Sequence, residues 1–530
     1  MSTMKRPANT TDFYKTGHKK MYPEGSEFVY SNFTPRSARL SNLPDFDDKI
    51  VFFGLQGFLK ELTESWRTKF FDKPRAEVSA AYRRRMDNSL GAGAVPVDHI
   101  EALWDLGYLP IKVKALEEGS LVNIGVPTLT VINTDPKFFW VTNYIESLMS
   151  AELWRPSTSA TTAFAYRKLF EKMANETGGS KEFIPFQGHD FSFRGMGGVH
   201  DATVSGAAHL LSFVGTDTIP AIDYLEDYYG ADSDKELVGC SVPATEHSVM
   251  CMGTMEDEIS TFKRMIVDVC PAGIVSIVSD TWDFWKVITE YTVQLKDIIM
   301  GRDGKVVLRP DSGDPIRIIT GLKCYDFDAN PLSLGPKMSE GYEAVKRNGK
   351  YYEVLFDDSL VEIPEHVVKG AVHCLWDIFG GITNSKGYKT LDSHIGLIYG
   401  DAITYERATK ILNRLKAKGF ASDNIVFGIG SYTYVYVTRD TYGWAMKATW
   451  GVVNGVAREL FKDPKTDSGF KKSAKGLLRV EKEGDDYVLY DSQTPEQEEQ
   501  GELVTIYKNG QLLEEVTLSE IRDRLLSNIK

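Results

Sequence analysis

The stretch KVVLRPDSGD at residues 305–314 decides the fold, because a short apolar run is followed at once by charged and glycine residues. This form recurs six more times between residues 155 and 439, with helix-length segments in between. The other runs end in HDFSFR (189–194), GTD (215–217), SVPATEH (241–247), VSIVSD (275–280), HIGLIYGD (394–401) and NIVFGIGS (424–431). Strands that alternate with helices pair in parallel and form a buried sheet. Seven such units favour a closed or nearly closed α/β barrel, with the ligand site at the carboxyl ends of its strands.

The flanks of this region have a different pattern. Residues 12–150 together with residues 440–530 predict a second, β-rich α+β domain, and residues 155–439 predict the barrel, with an insertion at about 322–393. Asn-Gly and Glu-Gly-Asp signals predict hairpins at residues 342–362, 483–485 and 509–510. The acidic segment TPEQEEQGE (494–502) predicts a solvated loop.

Composition limits the partners of the chain. A net charge of −13 argues against nucleic acid or an anionic membrane as the main partner. The N-terminus has no apolar core of a signal peptide, and the apolar stretch 138–154 is interrupted by polar residues, so no membrane span is predicted. Five dispersed cysteines without a CxxC pair fit reduced thiols in the cytoplasm.

Arg309 and Asp311 form the strongest local signal. A carboxylate after a buried strand can accept hydrogen bonds from vicinal sugar hydroxyls, and an arginine there can hold an anion. An ordinary Asp-Ser-Gly turn that caps the next helix is an equally good interpretation of the motif alone.

Two glycine-bearing strand ends, Gly400-Asp401 and Gly428–Ser431, have the form of phosphate-binding turns. Small residues between a strand and a helix expose backbone N–H groups to an anion. Basic residues downstream, namely Arg439, Lys447, Lys462, Lys471 and Lys472, either close over a pyrophosphate or form a solvated surface, and the sequence leaves both open.

His247 follows a strand end and precedes a helix-like segment, so it is a candidate for proton transfer or for carrying a phosphoryl group. A helix-start histidine with one hydrogen bond is the simpler interpretation, and His189, His200 and His209 receive that simpler interpretation too. No spacing typical of a protein-built metal site occurs.

Aromatic residues are harder to place from pattern. Phe191 and Phe193 would face the same side of a regular strand, so only a frayed strand end would turn one of them into the cavity. Tyr14 lies far away in the sequence.

Taken together, these segments resemble the nicotinamide phosphoribosyltransferase family. The matching stretches run from residue 11 to about residue 480 and include TDFYKTGHKKMYPEGSEFVYSNFTPR, HDFSFRG, GTDT, SVPATEHS, SIVSD, LRPDSGDP, FGIGS and FKDP. The resemblance implies an irregular parallel α/β barrel of the type II phosphoribosyltransferases with a β-rich domain. It also implies transfer of the phosphoribosyl group of 5-phosphoribosyl-1-pyrophosphate (PRPP) to nicotinamide, with Mg²⁺ carried mainly by PRPP, ATP as co-substrate and a homodimer that shares its active sites.

The resemblance also assigns roles to individual residues. The nicotinamide ring would lie between Phe191 and the partner subunit's Tyr14, with Asp217, Arg194, Arg309 and Asp12 nearby. Asp280 and Asp311 would bind the ribose, and His247 would be phosphorylated by ATP. The remaining matches are Gly400, Asp401, Gly430, Ser431, Arg439 and Lys447 around the 5′-phosphate, and Arg36, Lys462 and Lys471 around pyrophosphate.

Two departures and two alternatives accompany the resemblance. Ser431 stands where the family usually has a second glycine, and Ala445 stands where a serine often contacts the phosphate. Nicotinate phosphoribosyltransferase is the nearest alternative, and Asp217 argues against it because an ionised aspartate repels a carboxylate substrate. A catalytically silent homologue that acts as a binding protein is the second alternative.

Overall fold

The computed structural model describes residues 5–329, 341–461 and 474–529. Lys462, Lys471 and Lys472, predicted near pyrophosphate, lie outside these ranges. The strands are β1 (Ser26–Thr34), β2 (Lys49–Val51), β3 (Ile111–Ala115), β4 (Leu121–Asn123), β5 (Leu129–Asn133), β6 (Gly188–Asp190), β7 (Gly215–Thr216), β8 (Ala272–Val278), β9 (Asp303–Arg309), β10 (Cys324–Asp326), β11 (Ala344–Arg347), β12 (Lys350–Val354), β13 (Leu360–Ile363), β14 (Gly381–Thr383), β15 (Lys389–Leu391), β16 (Ile395–Tyr399), β17 (Val426–Ile429), β18 (Ala445–Val453), β19 (Val456–Glu459), β20 (Leu477–Glu483), β21 (Asp486–Gln493), β22 (Val504–Lys508) and β23 (Gln511–Leu512).

Helices of six or more residues are α1 (Leu55–Trp66), α2 (Arg75–Leu90), α3 (Asp98–Leu106), α4 (Glu146–Thr177), α5 (Val199–His209), α6 (Ile219–Tyr229), α7 (His247–Met252), α8 (Glu258–Arg264), α9 (Pro315–Thr320), α10 (Ala371–Phe379), α11 (Tyr405–Ala417) and α12 (Leu518–Leu526). Shorter helices cover Phe13–Thr16, His18–Met21, Val141–Tyr144, Ile184–Gln187, Phe284–Lys286, Thr292–Gln294, Lys296–Met300, Glu365–Lys369, Ser431–Tyr434 and Pro495–Glu498.

The apolar runs found in the sequence form a parallel sheet with the strand order β7-β6-β17-β16-β9-β8. Every pair in this sheet is parallel. The apolar side chains of these strands are buried against the surrounding helices, with Val306, Leu308 and Phe427 at most 1% exposed. The helices between the strands explain the parallel pairing, because each crossover returns the chain to the same end of the sheet.

The segment 240–244 joins the two edges of this sheet. Cys240 forms a parallel bridge with Gly215 of β7, and Ala244 forms one with Ser276 of β8. Backbone hydrogen bonds support both bridges, for example from the N–H of Ser276 to the carbonyl of Pro243 at 2.9 Å. The seven predicted units therefore follow one another around a closed ring in chain order, and the predicted α/β barrel is confirmed.

A β-rich part accompanies the barrel, as predicted. Its larger sheet has the order β19-β18-β1-β5-β3-β22-β23, so it combines strands from both ends of the chain. All its pairs are antiparallel. Phe33 and Trp444 stack within its core, with ring centroids 4.8 Å apart. The register sets Asn32 of β1 opposite Lys447 of β18.

The predicted hairpins occur where the turn signals lie. β11 and β12 pair on either side of Asn348-Gly349, and β22 and β23 pair on either side of Asn509-Gly510. These four turn residues have φ between 52° and 82°, a conformation that Asn and Gly tolerate best. Between residues 322 and 393 the described chain adds the four-stranded sheet β10-β11-β12-β13 and the pair β14-β15.

In the parts of the chain described, no helix is long and apolar enough to cross a membrane.

Candidate active site

The carboxyl ends of the barrel strands bring together most of the residues predicted for ring and ribose binding. Phe191 follows β6, Asp217 follows β7, Asp280 follows β8, Arg309 ends β9 and Gly400 follows β16. Because parallel strands end at one edge, residues more than 200 positions apart in sequence become neighbours there.

Phe191 lies on a platform of two glycines. A Cβ atom on Gly428 would lie 2.2 Å from Cδ2 of Phe191, and one on Gly400 would lie 2.7 Å from the same atom. The strand β6 ends at Asp190, so Phe191 departs from regular alternation while its N–H still bonds the carbonyl of Ile429 at 3.0 Å. The ring is therefore packed on one side by backbone, whereas Phe193 is 36% exposed in the following turn.

Asp217 is held by two donors beside this ring. Its Oδ1 lies 2.9 Å from Nε2 of His189 and accepts the Ser241 hydroxyl at 2.8 Å. Burial pushes the pKa of Asp217 up, but the hydrogen bonds from His189 and Ser241 and the charge of Arg309 outweigh it, so the pKa is lowered overall. Its other oxygen, Oδ2, accepts no hydrogen bond from the residues described and is available to a ligand.

Asp280 and Asp311 form a second group on the next two strand ends. The Oδ2 atom of Asp280 accepts the backbone N–H of Asp311 at 2.9 Å. The Oδ1 atom of Asp280 is buried and has no hydrogen-bond partner within the described ranges. An unpaired buried carboxylate oxygen is costly, so a ligand hydroxyl is a natural partner for it.

His247 stands at the start of α7, next to this group. Its Nδ1 lies 3.2 Å from the Thr281 hydroxyl, and its Nε2 lies 3.9 Å from Oδ1 of Asp280. The imidazole is about half exposed, with 48% of its side-chain surface accessible. Both ring nitrogens thus face polar oxygens while one side of the ring stays open to solvent.

Arg309 links the two groups. Its Nη2 donates to the carbonyl of Thr245 at 2.8 Å, while its buried Nε has no partner among the residues described. Its charge helps to lower the pKa of Asp217 across the barrel end. A guanidinium with one free buried donor can bind an oxygen of a ligand between the ring and ribose groups.

The acidic edge continues to Asp401. Burial and the negative charges of Asp311 and Asp280 raise the pKa of this carboxyl. Tyr399 below it donates to the carbonyls of Ser312 and Gly313, both at 2.9 Å, and so holds the loop that carries Asp311. Carboxylates this close repel one another, and a bound cation or hydroxyl donor would relieve that repulsion.

The two glycine turns differ in geometry. Gly430 directly precedes the short helix Ser431–Tyr434, whereas α11 begins only at Tyr405, with the Thr404 side chain as its cap. Only the Gly430 turn therefore joins a strand end directly to a helix, as the pattern predicts for both.

Gly195, next to the exposed Arg194, approaches Ser431 so closely that a Cβ atom on Gly195 would lie 2.5 Å from the serine Cβ.

The other predicted residues lie apart from the barrel edge in this single chain. Tyr14 is 62% exposed, and its ring meets His18 at 5.2 Å between centroids. Asp12 accepts a hydrogen bond from Ser147. In the described part of the chain, no hydrogen bond, ion pair or ring contact joins Tyr14 or Asp12 to Phe191 or Asp217.

Arg36 and Arg439 form a small basic group. The pKa of Arg36 is lowered by burial and then by the positive charge of Arg439. The Nε atom of Arg36 donates to the carbonyl of Gly443 at 3.0 Å, and Arg439 is 3.6 Å from Asp440. Lys447 is exposed on β18. Two guanidinium groups that repel each other favour a shared anion.

His189 and Ser241 are the two site residues that the sequence interpretation missed. The ring of His189 lies 5.0 Å from that of Phe191, and its Nε2 meets Asp217. The spacing of two between His189 and Phe191 was the available signal, because alternate residues of a strand share a face. Ser241 begins the predicted strand end SVPATEH, but no sequence signal pairs it with Asp217.

No group of three or more His, Cys, Asp or Glu side chains in the described ranges could hold a metal ion by itself. The carboxylates of Asp280, Asp311 and Asp401 are nevertheless suited to a hard cation that brings its own phosphate and water ligands.

Comparison with known protein families defines the class of enzyme. The model of the nicotinate phosphoribosyltransferase (NAPRTase) family matches residues 186–510, which include every barrel strand. The model of the nicotinamide phosphoribosyltransferase N-terminal domain matches residues 8–69. The barrel with its polar strand ends is thus that of a phosphoribosyltransferase, as the sequence predicts.

Curated relatives agree over the full length. A nicotinamide phosphoribosyltransferase of Acinetobacter baylyi is 56% identical, over 100% of this chain and 99% of its own. Another, of Xanthomonas campestris pv. campestris, is 31% identical, over 97% and 96%. The chain belongs to the nicotinate phosphoribosyltransferase (NAPRTase) family, and its predicted resemblance to nicotinamide phosphoribosyltransferases is confirmed.

A solved structure agrees on the fold. The nicotinate-nucleotide pyrophosphorylase of Pyrococcus furiosus has a TM-score of 0.55 and covers 99% of this chain and 96% of its own. At 13% identity this likeness concerns the fold alone.

Proposed function

We propose that this enzyme transfers the 5-phosphoribosyl group of PRPP to nicotinamide, giving nicotinamide mononucleotide and pyrophosphate in NAD salvage. The observation that carries the proposal is Asp217, an ionised carboxylate beside the Phe191 ring with one oxygen already bonded and one open. That oxygen accepts a carboxamide N–H and repels a carboxylate. The relatives named as nicotinamide phosphoribosyltransferases support the same substrate.

The ribose and phosphates of PRPP would extend from the ring toward the acidic edge. Asp280 offers its unpaired Oδ1 to a ribose hydroxyl, and Asp311 lies beside it. Arg309 would line the ring and ribose sites with its free Nε. Further contacts carried over from the family resemblance involve Arg194 near the ring, Gly400, Asp401, Gly430, Ser431, Arg439 and Lys447 at the 5′-phosphate, and Arg36, Lys462 and Lys471 at pyrophosphate.

Catalysis would rest on positioning and on charge. The transition state at C1 of the ribose has oxocarbenium character, so carboxylates such as Asp280 and Asp311 stabilise the developing positive charge. Phe191 fixes the plane of the ring, and Asp217 fixes its rotation within that plane, so the ring nitrogen faces C1. Mg²⁺, held by PRPP phosphates beside Asp280 and Asp311, would neutralise the leaving pyrophosphate.

We further propose that His247 accepts a phosphoryl group from ATP. Its half-exposed ring lies between Thr281 and Asp280. In the proposal this is the side of the site from which pyrophosphate would leave. His247→Ala should abolish ATP hydrolysis and the ATP-dependent tightening of substrate binding, yet leave some phosphoribosyl transfer. Unchanged ATP hydrolysis in that variant would remove His247 from this role.

A homodimer is part of the proposal. Within one chain, Tyr14 is exposed, and no ring contact or hydrogen bond joins it to Phe191 in the described ranges. Tyr14, Arg36, Arg439 and Lys447 would come from the second subunit. Cytoplasmic location stays a prediction from the sequence.

The deciding experiment compares nicotinamide with nicotinate, using labelled PRPP, Mg²⁺ and ATP. Nicotinamide should be preferred by a large factor in kcat/KM, and Asp217→Asn should reduce that preference by about tenfold or more, since it removes the repelling charge. Equal or faster turnover of nicotinate by the unaltered protein would overturn the assignment in favour of a nicotinate enzyme. No transfer to either pyridine would favour a silent homologue, although the joint presence of Arg309, Asp311, Asp280 and His247 argues against one.

A further inference from the structure

Asp190 is a buried carboxylate that the proposed reaction does not use. It lies at the end of β6, directly before Phe191, and is 0% exposed. We propose that Asp190 is a positioning residue that locks Phe191 and Asp217 into one arrangement for the pyridine ring. The inference rests on the proposed function and deepens it.

One oxygen of Asp190 fixes the chain after Phe191. Oδ1 accepts the backbone N–H of Ser192 at 2.9 Å and the Ser192 hydroxyl at 2.6 Å. The N–H of Phe191 itself bonds the carbonyl of Ile429 at 3.0 Å. The backbone of Phe191 is thereby tied on both sides, so the residue that carries the ring cannot shift relative to Gly428 and Gly400 without breaking buried hydrogen bonds.

The other oxygen fixes the chain around Asp217. Oδ2 accepts the Thr218 hydroxyl at 2.7 Å and, at 3.4 Å, the Thr216 hydroxyl. The backbone N–H of Asp217 bonds the carbonyl of Asp190 at 3.0 Å. The hydroxyls of Thr216 and Thr218, which flank Asp217, therefore bond the same carboxylate as Ser192, which follows Phe191.

The side chain of Asp190 has no positively charged partner among the described residues, and this favours a role in positioning. Asp190 takes part in no ion pair within the described residues, and all its side-chain donors are neutral. The nearby His209 is bonded to the carbonyls of Gly188 and Gly215, and burial lowers its pKa to about 4, so it stays neutral. A buried carboxyl group without a charged partner is a poor way to gain stability, whereas a fully bonded polar cluster specifies geometry well.

The test removes single hydroxyl bonds and leaves the substrate-contacting residues intact. The variants are Thr218→Val, Ser192→Ala and their combination, together with Asp190→Asn as the conservative change. Thr409→Val is the matched control, because among the described residues its hydroxyl bonds only the carbonyl of Tyr405 in its own helix, at 2.8 Å. KM for each substrate, kcat and the thermal midpoint are measured on the full-length enzyme.

The double variant should raise KM for nicotinamide about tenfold, since small displacements of positioned groups weaken binding and rate sharply. KM for PRPP should change less than about twofold, because Asp280 and Asp311 stand on other strands and share no bond with Asp190. The KM of Asp190→Asn for nicotinamide should lie between that of the double variant and that of the unaltered enzyme, because its amide carbonyl still accepts from Ser192.

Two outcomes would overturn the inference. One is an unchanged KM for nicotinamide in the double variant, and the other is an equal rise of both KM values that follows the loss of thermal stability. If the unaltered enzyme instead prefers nicotinate, the proposed substrate fails, and the same comparison made with nicotinate still decides the role of Asp190.

Discussion

At the scale of single residues, the proposed ring site depends on two glycines. Gly428 and Gly400 have no side chain, and this absence is what admits the Phe191 ring. A methyl group 2.2 Å from an aromatic carbon is far inside van der Waals contact, so the ring would have to move.

Gly428→Ala should therefore raise KM for nicotinamide by about tenfold or more and lower kcat, since the new methyl group displaces the Phe191 ring. Gly396→Ala is the control on β16, where a new Cβ would meet Cδ of the Lys305 side chain at 3.1 Å. Steady-state kinetics of both variants provide the measurement. Equal effects of the two substitutions would mean that Phe191 does not hold the ring.

The lowered pKa of Asp217 gives a pH prediction. Because its folded-state pKa lies below the ordinary aspartate value of about 3.9, the carboxylate is ionised throughout neutral pH. Any stability from its bonds to His189 and Ser241 is present above that value and is lost as pH falls through the folded-state pKa. The preference for nicotinamide should thus stay constant between about pH 5 and pH 8. A preference that falls within this range would contradict ionisation of Asp217 as its basis.

At the scale of elements, the barrel depends on the segment 240–244 to join β7 and β8. Thr245, directly after it, accepts the N–H of Val278 with its hydroxyl at 2.9 Å and holds Arg309 through its carbonyl. The hydroxyl therefore ties the closing segment to β8 next to the site.

Thr245→Val should lower the free energy of unfolding by about 1–3 kcal/mol, because the buried N–H of Val278 loses its partner. It should also lower kcat/KM through Arg309. Thr289→Val removes a hydroxyl whose one bond within the described ranges is to the carbonyl of Trp285, at 2.8 Å, and it should cost less than about 0.5 kcal/mol. The free energy of unfolding of both variants is measured in urea. Similar losses would show that the bond between Val278 and Thr245 contributes no more than the bond within the helix.

At the scale of the whole molecule, the predicted homodimer is testable by complementation. Tyr14→Ala and Asp311→Asn should each nearly abolish activity, because every site in either dimer lacks one group. Mixing the two unfolded chains and refolding them should restore about a quarter of full activity, since half of the dimers are mixed and each has one complete site. No recovery would mean that Tyr14 acts within its own chain, and full activity of Tyr14→Ala alone would mean that Tyr14 has no role.

The sequence predicts the barrel well because its signal is local. Each apolar run is followed by its own polar end, so KVVLRPDSGD and its six counterparts mark strands without knowledge of their neighbours. The boundaries of the two domains are not tested by the fold and stay a prediction.

Sequence patterns fail to predict a feature when its structure depends on a residue far away in the chain. TPEQEEQGE, predicted as a solvated loop, begins with the helix Pro495–Glu498, and Glu498 is 5% exposed. Its Oε2 lies 3.2 Å from Nζ of Lys114, a partner nearly 400 residues away that no local pattern reveals. His189 is a partial case, because its spacing from Phe191 is a local signal while its bond to Asp217, one strand further along the ring, is not.

The pairing of β6 with β17 has a consequence for folding. Gly188 pairs with Phe427, so the first barrel strand closes on the last one, and this contact has the greatest sequence separation in the ring. Contacts between distant residues form slowly, because a long loop must close before they stabilise the chain. Phe191 lies across this seam, bonded to Ile429 and packed on Gly428. During synthesis the packing of Phe191 on Gly428 cannot form until residue 429 has left the ribosome, so binding of a pyridine at the proposed ring site would report that the barrel has closed.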